Sequence, residues 1–213
     1  MINKKIKSKL LYFLKYILIY FVLLIISVSI IYIVDAYVIK KMGYNSIIYQ
    51  ISNTNKKVNK LSFLTVALVV PLLEEVSFRL FLIPTRFKVL LSSITLSFFI
   101  IYGTFIKIDV NSIHFVMSCL YTFIIAIIVY YKYSKIEKII INKNKITSFV
   151  SILIFGLFHI TNIKDLHIEL ALLYQIYVLP QISLGYVLTK TRLENGFVWG
   201  YILHFLINSI TFL

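Results

Sequence analysis

The chain has 213 residues, of which 60% are hydrophobic and only 14% are charged. Soluble domains rarely have so large an apolar fraction, whereas bundles of membrane helices routinely do, and this argues against a soluble domain. The net charge is +14, but the lysines lie between apolar runs, which favours a positive-inside membrane topology and argues against nucleic acid as a partner. Cys119 is the only cysteine, so neither an intramolecular disulfide nor a thiolate metal cluster is expected.

The N-terminal segment places four lysines before a long apolar stretch that runs from about Tyr16 to Ile33. This arrangement resembles a signal peptide, but no small-residue cleavage site follows the apolar stretch. We therefore expect an uncleaved first transmembrane helix, which needs about 20 residues to cross the hydrocarbon core.

Further apolar runs follow along the whole chain and predict an all-α fold, a polytopic bundle of about seven transmembrane helices. We expect residues 1–60 to form the N-terminal transmembrane helix and a basic loop, and residues 61–213 to form the membrane-embedded core. The predicted spans are Leu11–Val34, Leu61–Ile83, Val89–Ile106, Ile113–Tyr131, Ile146–Ile160, Ile168–Thr189 and Gly196–Leu213.

Lysines and arginines in the predicted loops indicate the orientation, because cytoplasmic loops are enriched in them. Three basic loops fall on one side, which we expect to be cytoplasmic together with the N-terminus, leaving the C-terminus outside. These loops contain Arg86 and Lys88, then residues 132–145 with five lysines, then Lys190 and Arg192. The first outer loop does not fit this pattern, because it also contains five lysines. A re-entrant or interfacial segment near residues 44–49 is one explanation.

The second predicted span has three charged residues, Glu74, Glu75 and Arg79, in its middle. Each charge at the bilayer centre costs about 2.5–3.5 kcal/mol, so these side chains must face a protein-lined or hydrated interior. Residues four apart share a helix face, so we expect Glu75 to pair with Arg79 and Glu74 to remain free as a general acid or base. Pro71, one turn earlier, frees a backbone carbonyl and favours a kink.

Two later spans contribute histidines. His159 lies near the end of the fifth span, and His204 and Asn208, four residues apart, share one face of the seventh. Each group has a structural explanation when taken alone: a buried ion cluster, an interfacial histidine, or hydrogen bonding between helices. Taken together they are strongly polar groups within an apolar bundle, and ionisable residues in membranes are usually functional. We therefore expect them to converge on one site.

Three short segments also carry a family pattern. Glu74–Arg79 reads EEVSFR, Phe155–His159 reads FGLFH and His204–Asn208 reads HFLIN. In this order they resemble the EExxxR, FxxxH and HxxxN motifs of the CPBP family, the Abi-like CAAX proteases and bacteriocin-processing enzymes. The resemblance covers about residues 61–208, and it departs from the family at Leu80, where a glycine is common.

The resemblance implies a membrane-embedded endopeptidase. Glu74 and His159 would activate a water molecule, and His204 and Asn208 would stabilise the oxyanion. The remaining motif residues, Glu75 and Arg79, would support the site structurally. Peptide hydrolysis independently needs a base for water and donors for the developing negative charge, and these residue types supply both.

Zinc is the competing interpretation, because two histidines, a glutamate and an asparagine could hold the ion with one position open. Its ligands would then be Glu74, His159, His204 and Asn208. No HExxH spacing is present and asparagine is a poor zinc ligand, so the sequence favours a mechanism without a cofactor.

The sequence thus predicts an intramembrane endopeptidase that hydrolyses peptide bonds of a membrane-embedded or membrane-associated peptide or protein. The alternative is a non-catalytic membrane protein of the same fold that acts in bacteriocin self-immunity or regulation, and a small transporter with a proton relay is a third reading. The composition rich in isoleucine and lysine suggests an AT-rich bacterial genome. We therefore expect a multi-pass protein of a bacterial plasma membrane, with the lipid bilayer and the substrate as its partners.

Overall fold

The computed structural model describes residues 4–51, 63–102, 112–163 and 166–212. The described residues form helices and short connections, and none of them forms a β-strand, so the all-α prediction is confirmed. The predicted boundary between residues 60 and 61, and the predicted span ends at Leu61, Ile106 and Leu213, lie outside the described residues.

Seven α-helices of ten or more residues make up most of the described chain. They are α1 (Lys4–Val34), α2 (Val70–Arg79), α3 (Arg86–Tyr102), α4 (Ile113–Asn142), α5 (Asn144–Phe158), α6 (Leu179–Asn195) and α7 (Phe197–Phe212). Shorter helical turns extend or join them. These are π-helical turns at Asp35–Ile39 and Thr65–Val69, 3₁₀ turns at Leu80–Leu82, His159–Asn162 and Ile168–Leu170, and one α-helical turn at Tyr174–Tyr177.

Three helical segments within the described residues are long and apolar enough to cross a membrane, judged by length and composition. They are Lys7–Ile39, Ile113–Asn142 and Asn144–Asn162, and Phe197–Ile210 is a shorter apolar helix. Large apolar side chains on the first of them point outward, among them Leu18 and Ile25. Such outward apolar surface is what a helix in contact with lipid presents, so these are features of a membrane protein.

One predicted span and one predicted loop have a different secondary structure from the one expected. The sixth predicted span, Ile168–Thr189, is not one helix, because regular α-helix begins only at Leu179. Pro180 lies in the first turn of α6, where a missing N–H is tolerated, whereas farther along a helix it would remove a hydrogen bond. The lysine-rich loop predicted after Tyr131 is also helical, since α4 continues to Asn142 and only Lys143 separates it from α5.

Helix α1 belongs to the same core as the later helices. Phe13, Tyr16 and Tyr20 are buried in one cluster with α6 and α7 residues such as Leu188. The hydroxyl of Tyr16 donates a hydrogen bond of 2.7 Å to Glu194, which lies near the end of α6. Packing against α1 therefore helps to fix the position of α6 in the bundle.

A buried carboxylate orders the chain after α1. Asp35 accepts hydrogen bonds from the hydroxyl of Ser46 (2.6 Å), the backbone N–H of Ile47 (2.9 Å) and the hydroxyl of Tyr177 (3.0 Å). These contacts hold a short helix, residues 47–51, back against α1. The short helix therefore packs beside the end of α1, and Asp35 is a buried hydrogen-bond acceptor.

Close approach of α5 and α6 depends on two glycines. A Cβ atom at Gly156 would collide with the Ile182 side chain and lie 3.3 Å from the Ile182 Cα. A Cβ atom at Gly185 would lie 3.0 Å from a ring carbon of Phe155. Small residues at such contacts let membrane helices approach closely, and here they place Phe155 in the centre of the bundle.

We predict that Gly156→Ala destabilises the protein by about 1–3 kcal/mol, because the added methyl overpacks the contact with α6. The measurement is the thermal unfolding temperature of purified protein in detergent. Leu157→Ala is the control, because Leu157 lies next in the chain and is exposed. Equal unfolding temperatures for Gly156→Ala and the wild type would contradict the close packing of α5 and α6.

Candidate active site

An ion pair on α2 lies in the interior of the bundle. Nη1 of Arg79 is 2.7 Å from Oε1 of Glu75, and both side chains are 0% exposed. The predicted pairing of residues four apart is therefore confirmed. Oε2 of Glu75 and Nη2 of Arg79 are buried without a hydrogen-bond partner among the described residues, so the pair alone does not satisfy all of its polar atoms.

His204 on α7 contacts both glutamates of α2. Its Nδ1 is 3.0 Å from Oε1 of Glu75, and its Nε2 is 3.3 Å from Oε2 of Glu74. The prediction that Glu74 has no partner is therefore wrong, because the His204 imidazole is its partner. Arg79 pairs with Glu75, as predicted. The Glu74 side chain is 13% exposed, whereas that of His204 is 1% exposed.

The position of His204 constrains the protons at this site. Each ring nitrogen faces a carboxylate oxygen, and a carboxylate can only accept. A protonated His204 ring would donate an N–H to each glutamate. A neutral His204 ring would donate to one glutamate, and its other nitrogen could accept only from a protonated carboxyl group. The contact between Nε2 of His204 and the partly exposed carboxylate of Glu74 therefore has the geometry that an acid–base pair requires.

Phe155 connects the charged cluster with the second histidine. The Arg79 guanidinium lies 4.2 Å from the centre of the Phe155 ring, a cation–π contact. The same ring is 6.1 Å from the His204 ring and 5.0 Å from the His159 ring, measured between centroids. No role was predicted for Phe155 from the sequence. The one local indication of a role is that Phe155 is the first residue of the FGLFH segment.

His159 follows the end of α5 with one nitrogen already engaged. Its Nδ1 lies 2.9 Å from the carbonyl oxygen of Phe155, so the N–H at Nδ1 donates there. The neutral ring then has an unprotonated Nε2, which can accept a proton. The described ion pairs of Glu74 involve His204 and not His159.

Asn208 is bonded to the π-helical turn before α2. The N–H of Val70 reaches the carbonyl of Thr65, and Pro71 has no N–H, so the Val66 carbonyl lacks a helical donor. The amide nitrogen of Asn208 supplies one at 3.3 Å. Pro71 thus leaves a carbonyl for α7, and Asn208 holds α7 against α2.

Arg192 is a site residue that the sequence assigned to a cytoplasmic loop. The structure buries it, and its Nε and Nη2 donate to the carbonyls of Arg79 and Leu80, both at 3.5 Å. These carbonyls end α2, where helical acceptors lack partners. Arg192 also interacts electrostatically with Glu75. Its neighbour Lys190 has the same charge, so no local signal in the sequence distinguishes the buried cation from the exposed one.

The described residues do not form a ready-made set of zinc ligands. Within the described residues, no three His, Cys, Asp or Glu side chains are grouped so that they could hold a metal ion. Glu74 and His204 are adjacent, and the Asn208 amide is bonded to the Val66 carbonyl. The described residues therefore do not show the ligand cluster that the zinc interpretation requires.

No protein-family model, curated protein or solved structure matches this chain. The likeness of Glu74–Arg79, Phe155–His159 and His204–Asn208 to the three family motifs therefore stays an expectation.

We predict that Arg192→Ala destabilises the protein by about 1–3 kcal/mol, because it removes the donor to the carbonyls of Arg79 and Leu80 and reduces the positive charge near Glu75. Lys190→Ala is the matched control, since it removes the same charge two residues away from an exposed position. The measurement is unfolding in detergent at low and high salt. Equal stability of the two variants would contradict a role of Arg192 in the buried cluster.

Proposed function

We propose that the protein is an intramembrane endopeptidase of the CPBP type, a multi-pass bundle of about seven spans in a bacterial plasma membrane. It hydrolyses peptide bonds of a membrane-embedded or membrane-associated peptide or protein. The observation that carries the proposal is the partly exposed carboxylate of Glu74, 3.3 Å from the buried imidazole of His204 in an apolar bundle. Ionisable groups that lie together in such a bundle are functional by default.

In the proposed reaction a water oxygen forms a bond to the carbonyl carbon of the scissile peptide. Glu74 takes one proton from that water, and Nε2 of His159, the nitrogen left free by its bond to Phe155, assists. The carbonyl oxygen becomes an oxyanion. When the bond between carbon and nitrogen breaks, Glu74 passes the proton to the leaving amine.

The oxyanion needs donors that are fixed before the reaction begins. Asn208, whose amide nitrogen donates to the Val66 carbonyl and is held in place by it, is one donor in this scheme. His204, held by Glu75 through Nδ1, offers its Nε2 proton when the contact with Glu74 loosens. Glu75 and Arg79 make no contact with substrate in this scheme, and they position His204.

Replacing Glu74 tests the proposal. Glu74→Gln keeps the shape and removes the base, so we expect the cleavage rate of a fluorogenic peptide library by purified protein to fall about 10²–10⁴-fold. Glu169→Gln, the same change at an exposed position, should cleave like the wild type. Unchanged cleavage in Glu74→Gln would refute the assignment, and binding without cleavage by the wild type would favour the immunity or regulatory alternative.

We also propose that the reaction needs no metal. Cleavage should then survive prolonged treatment with strong chelators, and its pH profile should be bell-shaped, because Glu74 must be ionised and its partners correctly protonated. Asn208→Ala should lower the rate about 10²–10³-fold with little change in KM. Stoichiometric zinc that leaves with activity, and restores it when added back, would show that these residues act through the metal.

A further inference from the structure

A cavity of about 240 Å³ lies beside His159. It is bounded by α1, the short helix of residues 47–51, the 3₁₀ turn after α5 and the start of α6. Most of its lining is apolar, and only a few amide, imidazole and phenol groups interrupt it. Lining residues that matter here are Val28, Ile48, His159, Asn162, Tyr177 and Gln181.

The walls of this cavity are fixed by the buried carboxylate of Asp35. It accepts from the backbone N–H of Ile47 and more weakly from that of Ile48, which positions the short helix at one wall. It also accepts from the hydroxyl of Tyr177, which belongs to another wall. The cavity is therefore preformed, and an occupant does not have to order its walls on binding.

One of the residues that line the cavity, His159, also belongs to the candidate active site. His159 lines the cavity, while its ring contacts Phe155, which in turn contacts Arg79 and His204. An occupant of the cavity therefore lies next to one of the groups proposed to activate water. The inference that follows rests on the proposed function, because it concerns the substrate of that same site.

We propose that this cavity is the subsite for one bulky apolar side chain of the peptide substrate, close to the scissile bond. Its volume is below the range of about 300–1,000 Å³ that holds drug-sized ligands, which suits a single side chain such as that of leucine or phenylalanine. The side-chain oxygen of Gln181 is buried without a hydrogen-bond partner among the described residues, so it can accept from the N–H of the adjoining peptide group. The hydrocarbon chain of a lipid has no N–H to donate.

Substitutions on α1 test the subsite through specificity. Peptides that differ only by leucine or alanine at one position are cleaved by the wild type with kcat/KM values at least about tenfold apart, as apolar pockets typically discriminate. Val28→Phe fills the cavity and brings this ratio close to one. The matched control is Val22→Phe, because Val22 lies on the same helix, is likewise 50% exposed and does not line the cavity. A ratio that Val28→Phe leaves unchanged would overturn the subsite.

A second arm does not depend on cleavage. In a Cys119→Ser, Glu74→Gln background, Val28→Cys is labelled with a maleimide in the presence of the leucine or the alanine peptide. The leucine peptide slows labelling at Val28→Cys and leaves Val22→Cys unaffected. Equal labelling rates with both peptides, or slowing by added phospholipid alone, would overturn the subsite. Selective protection together with absence of cleavage by the wild type would refute the peptidase and leave the apolar subsite standing.

Discussion

The Glu75 carboxylate and the Arg79 guanidinium meet at 2.7 Å, with neither side chain exposed, inside a bundle whose other side chains are mostly apolar. Breaking such a pair by removing one partner typically costs about 3–5 kcal/mol, because a buried charge is left without its counterion. Surrounding groups reduce that cost. The Phe155 ring lies against Arg79, and Arg192 adds a second cation near Glu75 while donating to the carbonyls at the end of α2.

Fixing Glu75 in this pair determines what the other groups do. Glu75 orients His204 through Nδ1, and this leaves Nε2 of the same ring facing Glu74. Two adjacent carboxylates thus have different environments, one fully buried in an ion pair and one partly exposed beside an imidazole. Because the two carboxylates have different environments, one helix can provide both a structural anion, Glu75, and a base, Glu74. The glycines at the contact of α5 and α6 complete the arrangement by admitting Phe155.

Local features of this architecture could be predicted from the sequence, and features that depend on packing could not. The all-helical fold followed from composition and apolar runs, and the pairing of Glu75 with Arg79 followed from helix geometry, because residues four apart share a face. The contact of His204 with Glu74 joins residues 130 positions apart, which no helical periodicity encodes. Burial of Arg192 but not of Lys190 depends on how α6 packs, and Pro180 interrupts a predicted span whose composition alone looked continuous.

Cleavage in water enriched in heavy oxygen tests most directly whether Glu74 activates water for peptide hydrolysis. Purified protein in detergent is incubated with the peptide library in labelled water, and the products are analysed by mass spectrometry. The account predicts one heavy oxygen atom in the new C-terminal carboxyl group of each product with the wild type, and loss of these products with Glu74→Gln. Labelled products formed equally by Glu74→Gln, or no labelled product from the wild type, would contradict it.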